Sequence, residues 1–132
     1  MRYVLLVVAT LLSSSLGLAS PVAIGDKLSP FSLKSYDGKA VDLASYSGKK
    51  ALALVFVATR CPVSNAYNER MEAIANEYSA KGVAFVGINA NKEESPSEIA
   101  EHAKAHGFSF PILKDPGNVE ADAFGAQVTP EA

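Results

Sequence analysis

The feature that most constrains this chain is an apolar run over residues 51–58, followed closely by its only cysteine, Cys61. The run is short, contains Val and Phe, and gives way at once to a polar turn, which is typical of a strand buried on both faces. Pro62 comes next, and proline is favoured at the first position of a helix, where its missing N–H would have no partner. The sequence therefore predicts that Cys61 lies where a central strand ends and a helix begins.

This position favours a reactive thiol. The free N–H groups and partial positive charge of a helix N-terminus stabilise an anion, and a cysteine placed there tends to have a lowered pKa. A buried, inert cysteine is the alternative interpretation. Because Arg60 and Pro62 flank Cys61 at the predicted helix start, we favour the reactive thiol and predict a pKa below that of a free cysteine.

The N-terminus has the pattern of an export signal. A basic start containing Arg2 precedes an apolar run over residues 4–12, and small residues, Gly17 and Ala19, occupy the two positions that a signal peptidase reads. The run is shorter than the roughly 20 residues that span a bilayer, although an uncleaved anchor is the alternative. We predict a signal peptide over residues 1–19, a periplasmic or secreted mature protein and no stable membrane anchor.

Cysteine count and charge narrow the functions open to the chain. An exported protein with one cysteine cannot form an internal disulfide, so the thiol is either reactive or paired with another molecule. The formal net charge of −2 offers no basic surface for nucleic acid, which we do not expect as a partner. His102 and His106 have helical spacing that can suit zinc, but no third ligand stands nearby, so we predict neither a metal nor a cofactor.

Turn signals and apolar runs divide the rest of the chain into alternating strands and helices. Such alternation predicts parallel strands joined by right-handed crossovers, with the active site at the carboxyl ends of the strands. The predicted elements are a hairpin (31–34 and 40–43), the buried strand (51–58), a helix (62–80), a second buried strand (83–90), a helix with a capping box (96–106), a short strand (108–113) and a short helix (119–124).

Burial can also be predicted for two parts of this pattern. In the helix after Cys61, four large side chains recur at helical spacing and define its expected buried face: Tyr67, Met71, Ile74 and Tyr78. The segment after the second buried strand is polar, so we expect its acidic residues to belong to a solvated loop and helix start: Glu93, Glu94 and Glu98.

The stretch over residues 58–64, Ala-Thr-Arg-Cys-Pro-Val-Ser, resembles the active site of thioredoxin-like proteins. It is similar to that of exported thiol–disulfide oxidoreductases of the TlpA/ResA kind, in which Ala-Thr precedes Cys-Pro-x-Cys, and to the redoxin and AhpC/TSA group. Weaker matches in the same order are Gly25-Asp26, Asp37-Gly38-Lys39, Lys81-Gly82-Val83 and Thr129-Pro130. The resemblance implies an α/β thioredoxin-like fold, a three-layer α/β/α sandwich with an N-terminal β-hairpin, over residues 20–132.

The resemblance also implies roles for residues around the cysteine. Arg60 replaces an aromatic residue of many relatives and could hold a carboxylate of a partner, although a solvated loop arginine is the alternative. In the family, the proline that matches Pro130 is cis and faces the cysteine, and the backbone before it pairs with the substrate. The implied catalytic residues are Cys61, Thr59, Arg60 and Ser64, and the implied substrate-binding residues are Pro62, Thr129 and Pro130.

Ser64 departs from the family motif, because it stands where a dithiol oxidoreductase has its second cysteine. That cysteine releases the mixed disulfide that the first one forms. With Ser64, turnover needs glutathione or another external thiol. The Ser64 hydroxyl could still donate a hydrogen bond to the thiolate, or it could be an ordinary polar residue of a helix start.

Three functions therefore stay open. The first is an extracytoplasmic thiol–disulfide oxidoreductase with a single reactive cysteine, whose partners are protein or small-molecule thiols and disulfides. The second is a one-cysteine peroxidase acting on peroxide, although Leu54 and Ala58 stand where peroxiredoxins have Pro and Thr, and Thr59 is one position late. The third is a binding module that has kept the fold and lost turnover.

We also expect these residues not to form a whole domain. The strand over residues 51–58 is apolar on both faces, so it should have a neighbour on each side. The strand over residues 83–90 can supply one, and the N-terminal hairpin or a strand starting near Gln127 the other. In the resembled family, further strands and a final helix follow the positions of Thr129 and Pro130, and we expect residues 20–132 to lack them.

Overall fold

The computed structural model describes residues 21–132, so the predicted signal peptide lies outside the described residues. Within them, no helix is both long enough and apolar enough to cross a membrane. A short 3-10 helix occupies Leu43–Tyr46. The strands and helices are β1 (Ser32–Ser35), β2 (Ala40–Asp42), β3 (Ala51–Phe56), α1 (Pro62–Ala66), α2 (Asn68–Ser79), β4 (Val83–Asn89), α3 (Pro96–Ala105), β5 (Ile112–Lys114) and α4 (Val119–Phe124).

The strands form one mixed sheet in the order β2-β1-β5-β4-β3. β3, β4 and β5 are parallel, because the α1–α2 segment and α3 carry the chain back between them. The predicted hairpin is confirmed: β1 and β2 are antiparallel, and β1 continues the sheet beside β5. The carboxyl ends of β3 and β4 therefore lie at the same edge of the sheet, where the sequence predicts the site.

Helices cover both faces of the sheet. On one face, Val55 and Ile112 belong to a buried cluster with Met71 of α2 and Ile99 of α3. On the other face, Phe56, Ile88 and Ala121 of α4 form a second cluster, against which Phe31 and Phe124 pack. Burial on both faces explains the unbroken apolar runs of β3 and β4, and it gives the predicted α/β/α layers.

Among the described residues, β3 is an edge strand. It pairs along its length with β4 only. On its other side, Phe56 forms a single antiparallel bridge with Glu131, and the N-terminal hairpin lies at the far edge of the sheet. The apolar pattern of a strand reports how its faces are covered by helices, and it carries no information on whether its edges are paired.

The prediction of the buried face of the helix after Cys61 is largely wrong. Met71 is buried, but the other three large side chains are exposed: Tyr67, Ile74 and Tyr78. The helix is interrupted at Tyr67, and the residues that α2 buries are Asn68, Met71 and Ala75. The buried Asn68 side chain forms hydrogen bonds with Asn65 and His102.

Two isoleucines in helices provide a matched test of this packing. Ile99 in α3 is fully buried, whereas 38% of Ile74 in α2 is exposed. We expect Ile99→Ala to lower the free energy of unfolding by about 2–5 kcal/mol, because it leaves a cavity in the core. Ile74→Ala makes the same change in helix propensity and should cost about 1 kcal/mol or less. Equal losses in denaturant unfolding would contradict the packing described here.

Candidate functional site

Cys61 lies where the sequence predicts it, between the end of β3 and the first residue of α1. It is the N-cap residue of α1, has an extended backbone, and is followed by Pro62 in the first turn. The residue is partly exposed, and its sulfur lies 3.7 Å from the carbonyl oxygen of Thr129. The thiol is therefore accessible from outside and held against the loop that ends the described chain.

The surroundings of Cys61 lower the pKa of its thiol. The largest cause is a hydrogen bond from the side chain of Thr129, and the backbone N–H groups of Ser64 and Val63 add to it. Partial burial and the negative charge of Glu94 act in the opposite direction and are outweighed. Because α1 is only five residues long, individual N–H groups account for the helix contribution better than a long-range dipole does.

Thr129 and Pro130 face Cys61 across a hollow, as the resemblance implies, and the peptide bond between them is cis. Val63, Tyr67 and Val128 line the same hollow, and all three are exposed. Cys61 also borders a second cavity of about 300 Å³, which has Phe56 and Ile88 in its wall and Asn91 and Asn118 among its polar residues. The thiol thus lies between an apolar surface and a smaller, mixed cavity.

Ser64 is buried beneath the thiol, with 1% of its surface exposed. Its hydroxyl oxygen accepts a hydrogen bond of 3.2 Å from the backbone N–H of Ala58, which follows β3. The side chain therefore ties the first turn of α1 to the end of the strand. The contact of Ser64 with Cys61 is made by its backbone N–H group.

Arg60 forms an ion pair with Glu98. Its Nε donates to Glu98 Oε1 at 3.1 Å, and its Nη2 contacts the same oxygen. The Ser95 backbone N–H and Arg60 together lower the pKa of Glu98 to about 2. The guanidinium charge is therefore balanced by Glu98, and Arg60 is not among the groups that lower the pKa of Cys61.

The expectation that the acidic residues lie on a solvated loop is wrong for Glu94, which is 1% exposed. Its carboxylate accepts hydrogen bonds from the backbone N–H groups of Thr59 and Arg60, the two residues before Cys61. Glu98 is also engaged, because it completes the capping box of α3 with Ser95 and pairs with Arg60. Glu93 is exposed, as predicted.

A second contact missed in the sequence holds the other side of the Thr59 residue. Asn65 Nδ2 donates to the Thr59 carbonyl oxygen at 2.9 Å, so a side chain of α1 is hydrogen-bonded to the loop that precedes this helix. Asn68 links Asn65 to His102, whose Nε2 lies 3.2 Å from Asn68 Nδ2. The signal for these contacts is the amide-rich start of the helix, Asn65 and Asn68, three residues apart.

The histidine pair packs rather than forming part of a larger ligand cluster. The rings of His102 and His106 have centroids 4.4 Å apart, and both pack against Phe108. Among residues 21–132, no group of three or more His, Cys, Asp or Glu side chains is arranged to hold a metal ion.

A mixed sheet covered by helices on both faces, with a cysteine at a helix start opposite the Thr129-Pro130 loop, defines the thioredoxin-like class of proteins. Residues 24–132 match the AhpC/TSA family over most of the chain, and the chain belongs to that family. The resemblance inferred from residues 58–64 is thereby confirmed at the level of family and fold.

Two of the relatives carry names of different kinds. The chain is 31% identical over 106 residues to the thiol-disulfide oxidoreductase ResA of Halalkalibacterium halodurans, which covers 80% of this chain and 58% of that protein. It is 30% identical over 102 residues, 77% of this chain and 63% of the relative, to a Mycobacterium tuberculosis protein whose name assigns it provisionally to the peroxiredoxins. The chain thus spans about three fifths of the length of these relatives.

A solved structure has the same architecture. A secreted Mycobacterium tuberculosis disulfide oxidoreductase superimposes with a TM-score of 0.67 at 25% identity, over 76% of this chain and 71% of that one. This similarity supports the assignment of the sheet order and of the helix that follows the cysteine to the thioredoxin-like fold.

The environment of the thiol predicts which neighbour sets its reactivity. We expect Thr129→Val to raise the pKa of Cys61, because it removes the hydroxyl that hydrogen-bonds to the sulfur. Arg60→Gln should change that pKa less, because Glu98 already balances the guanidinium. The rate of alkylation as a function of pH measures both variants, and a larger rise for Arg60→Gln than for Thr129→Val would contradict this interpretation.

Proposed function

We propose that this protein is an extracytoplasmic thiol–disulfide oxidoreductase that works through the single thiolate of Cys61. The observation that carries the proposal is the position of that sulfur: it is partly exposed, its surroundings lower the pKa of the thiol, and an apolar hollow lies beside it. A thiolate of this kind is the attacking group in disulfide exchange. Family membership and the relative named as a thiol-disulfide oxidoreductase support the same reaction class.

The reaction consists of two exchanges. The Cys61 thiolate attacks one sulfur of a substrate disulfide, forms a mixed disulfide with it and expels the other half as a thiolate. An external thiol, after losing its proton, then attacks the substrate sulfur of the mixed disulfide. Its electrons regenerate the Cys61 thiolate, and the external thiol leaves joined to the substrate half.

The need for an external thiol follows from Ser64. This residue is buried at the first turn of α1, directly after Pro62 and Val63, where the family motif has its second cysteine. A serine hydroxyl does not attack a disulfide under these conditions, so the mixed disulfide persists until a second molecule releases it. The exposed hollow beside Cys61 leaves room for that molecule to approach.

A one-cysteine peroxidase is the second candidate, because one relative carries a peroxiredoxin-type name. In that reaction the Cys61 thiolate takes one oxygen from a peroxide, becomes a sulfenic acid and releases an alcohol or water, and two thiols then reduce the sulfenic acid. The site offers less support for this reaction. The backbone N–H of Thr59 is bound to Glu94, and Arg60 is paired with Glu98.

Restoring the second cysteine tests the proposed exchange. We expect Ser64→Cys to raise turnover with a small disulfide by about tenfold or more at low external thiol, because release becomes intramolecular. Ser64→Ala is the matched control, since it removes the hydroxyl without adding a thiol, and it should not raise turnover. Cys61→Ser should abolish activity in either background.

Three outcomes would contradict disulfide exchange as the function. Unchanged turnover in Ser64→Cys would show that release by an external thiol does not limit the reaction, which contradicts the proposed single-thiolate mechanism and favours the peroxidase or the binding module. Reduction of hydrogen peroxide well above the rate of free cysteine, lost in Cys61→Ser, would favour the peroxidase. No reaction with either substrate would favour a binding module without turnover.

The extracytoplasmic location rests on the signal pattern over residues 1–19 and on similarity to a secreted disulfide oxidoreductase. We expect the exported protein to begin near Ser20, because Gly17 and Ala19 suit a signal peptidase. N-terminal sequencing of the protein recovered outside the cytoplasm measures this directly. Retention of Met1 in that fraction would contradict cleavage.

A further inference from the structure

A buried carboxylate lies directly beneath the loop that presents Cys61. Glu94 Oε2 accepts the N–H of Thr59 at 2.8 Å, and Glu94 Oε1 accepts the N–H of Arg60 at 2.9 Å. These are the two successive peptide N–H groups that precede the cysteine. We propose that Glu94 is the positioning residue of this site: as an anion it fixes the loop and thereby the place of the Cys61 sulfur.

The remaining contacts of Glu94 require the ionised form. Asn89 Nδ2 donates to Oε2 at 2.6 Å, and Asn91 Nδ2 donates to Oε1 at 3.0 Å. Each carboxylate oxygen therefore accepts two hydrogen bonds, and only a carboxylate can accept four N–H donors without presenting a hydrogen of its own. Burial raises the pKa of Glu94, but the hydrogen bonds from Thr59, Asn89 and Arg60 outweigh it and keep the group ionised.

Lys114 contacts the two asparagine residues that bind Glu94. Lys114 Nζ at the end of β5 donates to Asn89 Oδ1 at 3.1 Å and also contacts the Asn91 carbonyl oxygen. Lys114 thereby holds the side-chain amide of Asn89 and the backbone of Asn91, the two residues whose amides donate to Glu94. The loop before Cys61 is thus joined through Glu94 to the carboxyl ends of β4 and β5.

The Thr59 residue is held at both of its backbone polar groups. Glu94 binds its N–H and Asn65 binds its carbonyl oxygen, two positions before the sulfur. The hydrogen bonds that lower the pKa of Cys61 come from Thr129 and from α1, and they depend on the sulfur lying at the correct place. A loop released from Glu94 would lose that alignment.

Position and charge act on the thiol in opposite directions, which makes the proposal testable. Releasing the loop should raise the pKa of Cys61 toward the roughly 8.5 of a free thiol. Removing a nearby negative charge without moving the loop should lower it, because the charge of Glu94 opposes the thiolate. The direction of the change therefore separates a positioning residue from a distant charge.

The decisive variant is Glu94→Gln, with Glu93→Gln as its control. The glutamine at position 94 has one acceptor oxygen and turns its own N–H hydrogens toward the N–H donors of the loop. Glu93 is exposed, so Glu93→Gln removes the same charge without removing these hydrogen bonds. In Glu94→Gln, we expect the Thr59 and Arg60 amide hydrogens to exchange about tenfold faster or more, and the pKa of Cys61 to rise. Glu93→Gln should accelerate neither amide and should not raise that pKa.

Glu94→Asp provides a second variant, in case the glutamine variant does not fold. The shorter side chain keeps the charge but cannot span both N–H groups, so a rise in the Cys61 pKa would come from position alone. Amide exchange is read by nuclear magnetic resonance, and the pKa is read from the rate of alkylation by iodoacetamide as a function of pH.

Several results would overturn the proposal. A fall in the Cys61 pKa in Glu94→Gln, matching that of Glu93→Gln, would show that Glu94 acts through its charge only. Lower thermal stability with an unchanged pKa and unchanged amide exchange would show a structural role without positioning. The inference rests on the proposed function only in taking Cys61 as the reactive group, and alkylation reports its outcome even if disulfide exchange fails.

Discussion

The six residue pairs that join β3 and β4 in parallel place the carboxyl ends of both strands at one edge of the sheet. The loop after β3 carries Cys61, and the loop after β4 carries Glu94. Although these residues are distant in sequence, the parallel register brings the two loops within hydrogen-bond distance, with Glu94 binding the N–H groups that precede Cys61. A slip of one residue in this pairing would turn the side chains of one strand to the opposite face of the sheet and shift its loop relative to the other.

Beside these two loops, one carboxylate is neutralised by an ion pair and the other by N–H donors. Arg60 and Glu98 neutralise each other at the surface, whereas Glu94 is satisfied by N–H donors in the interior. The thiol is therefore left to short-range hydrogen bonds from Thr129 and the first turn of α1. Such bonds depend on geometry more steeply than an exposed charge does, which is why the rigidity of the preceding loop bears on reactivity.

The order of elements and the place of Cys61 could be predicted because each rests on local signals. The apolar runs of β3 and β4, the Pro62 helix start and the Ser95 capping box are all legible within a few residues. The apolar pattern of β3 predicts that both of its faces are covered, but it does not predict which strands pair with its edges, since strand pairing depends on contacts between distant segments. The burial of Glu94 is not legible in the sequence, because its donors on Thr59 and Arg60 are backbone groups of a distant segment, which leave no sequence signature. The spacing of large apolar side chains does not predict the rotation of α2, because Asn68 faces inward and Tyr67, Ile74 and Tyr78 are exposed.

The central claim is that Cys61 attacks disulfides and has no internal means of releasing the product. Intact-mass spectrometry of the reduced protein, followed in time after adding a small disulfide such as oxidised glutathione, tests it most directly. The account predicts that one substrate half is attached at Cys61, faster than to free cysteine at the same pH, and that it remains until an external thiol is added. An adduct that forms no faster than on free cysteine, or one that is lost without added thiol, would contradict it.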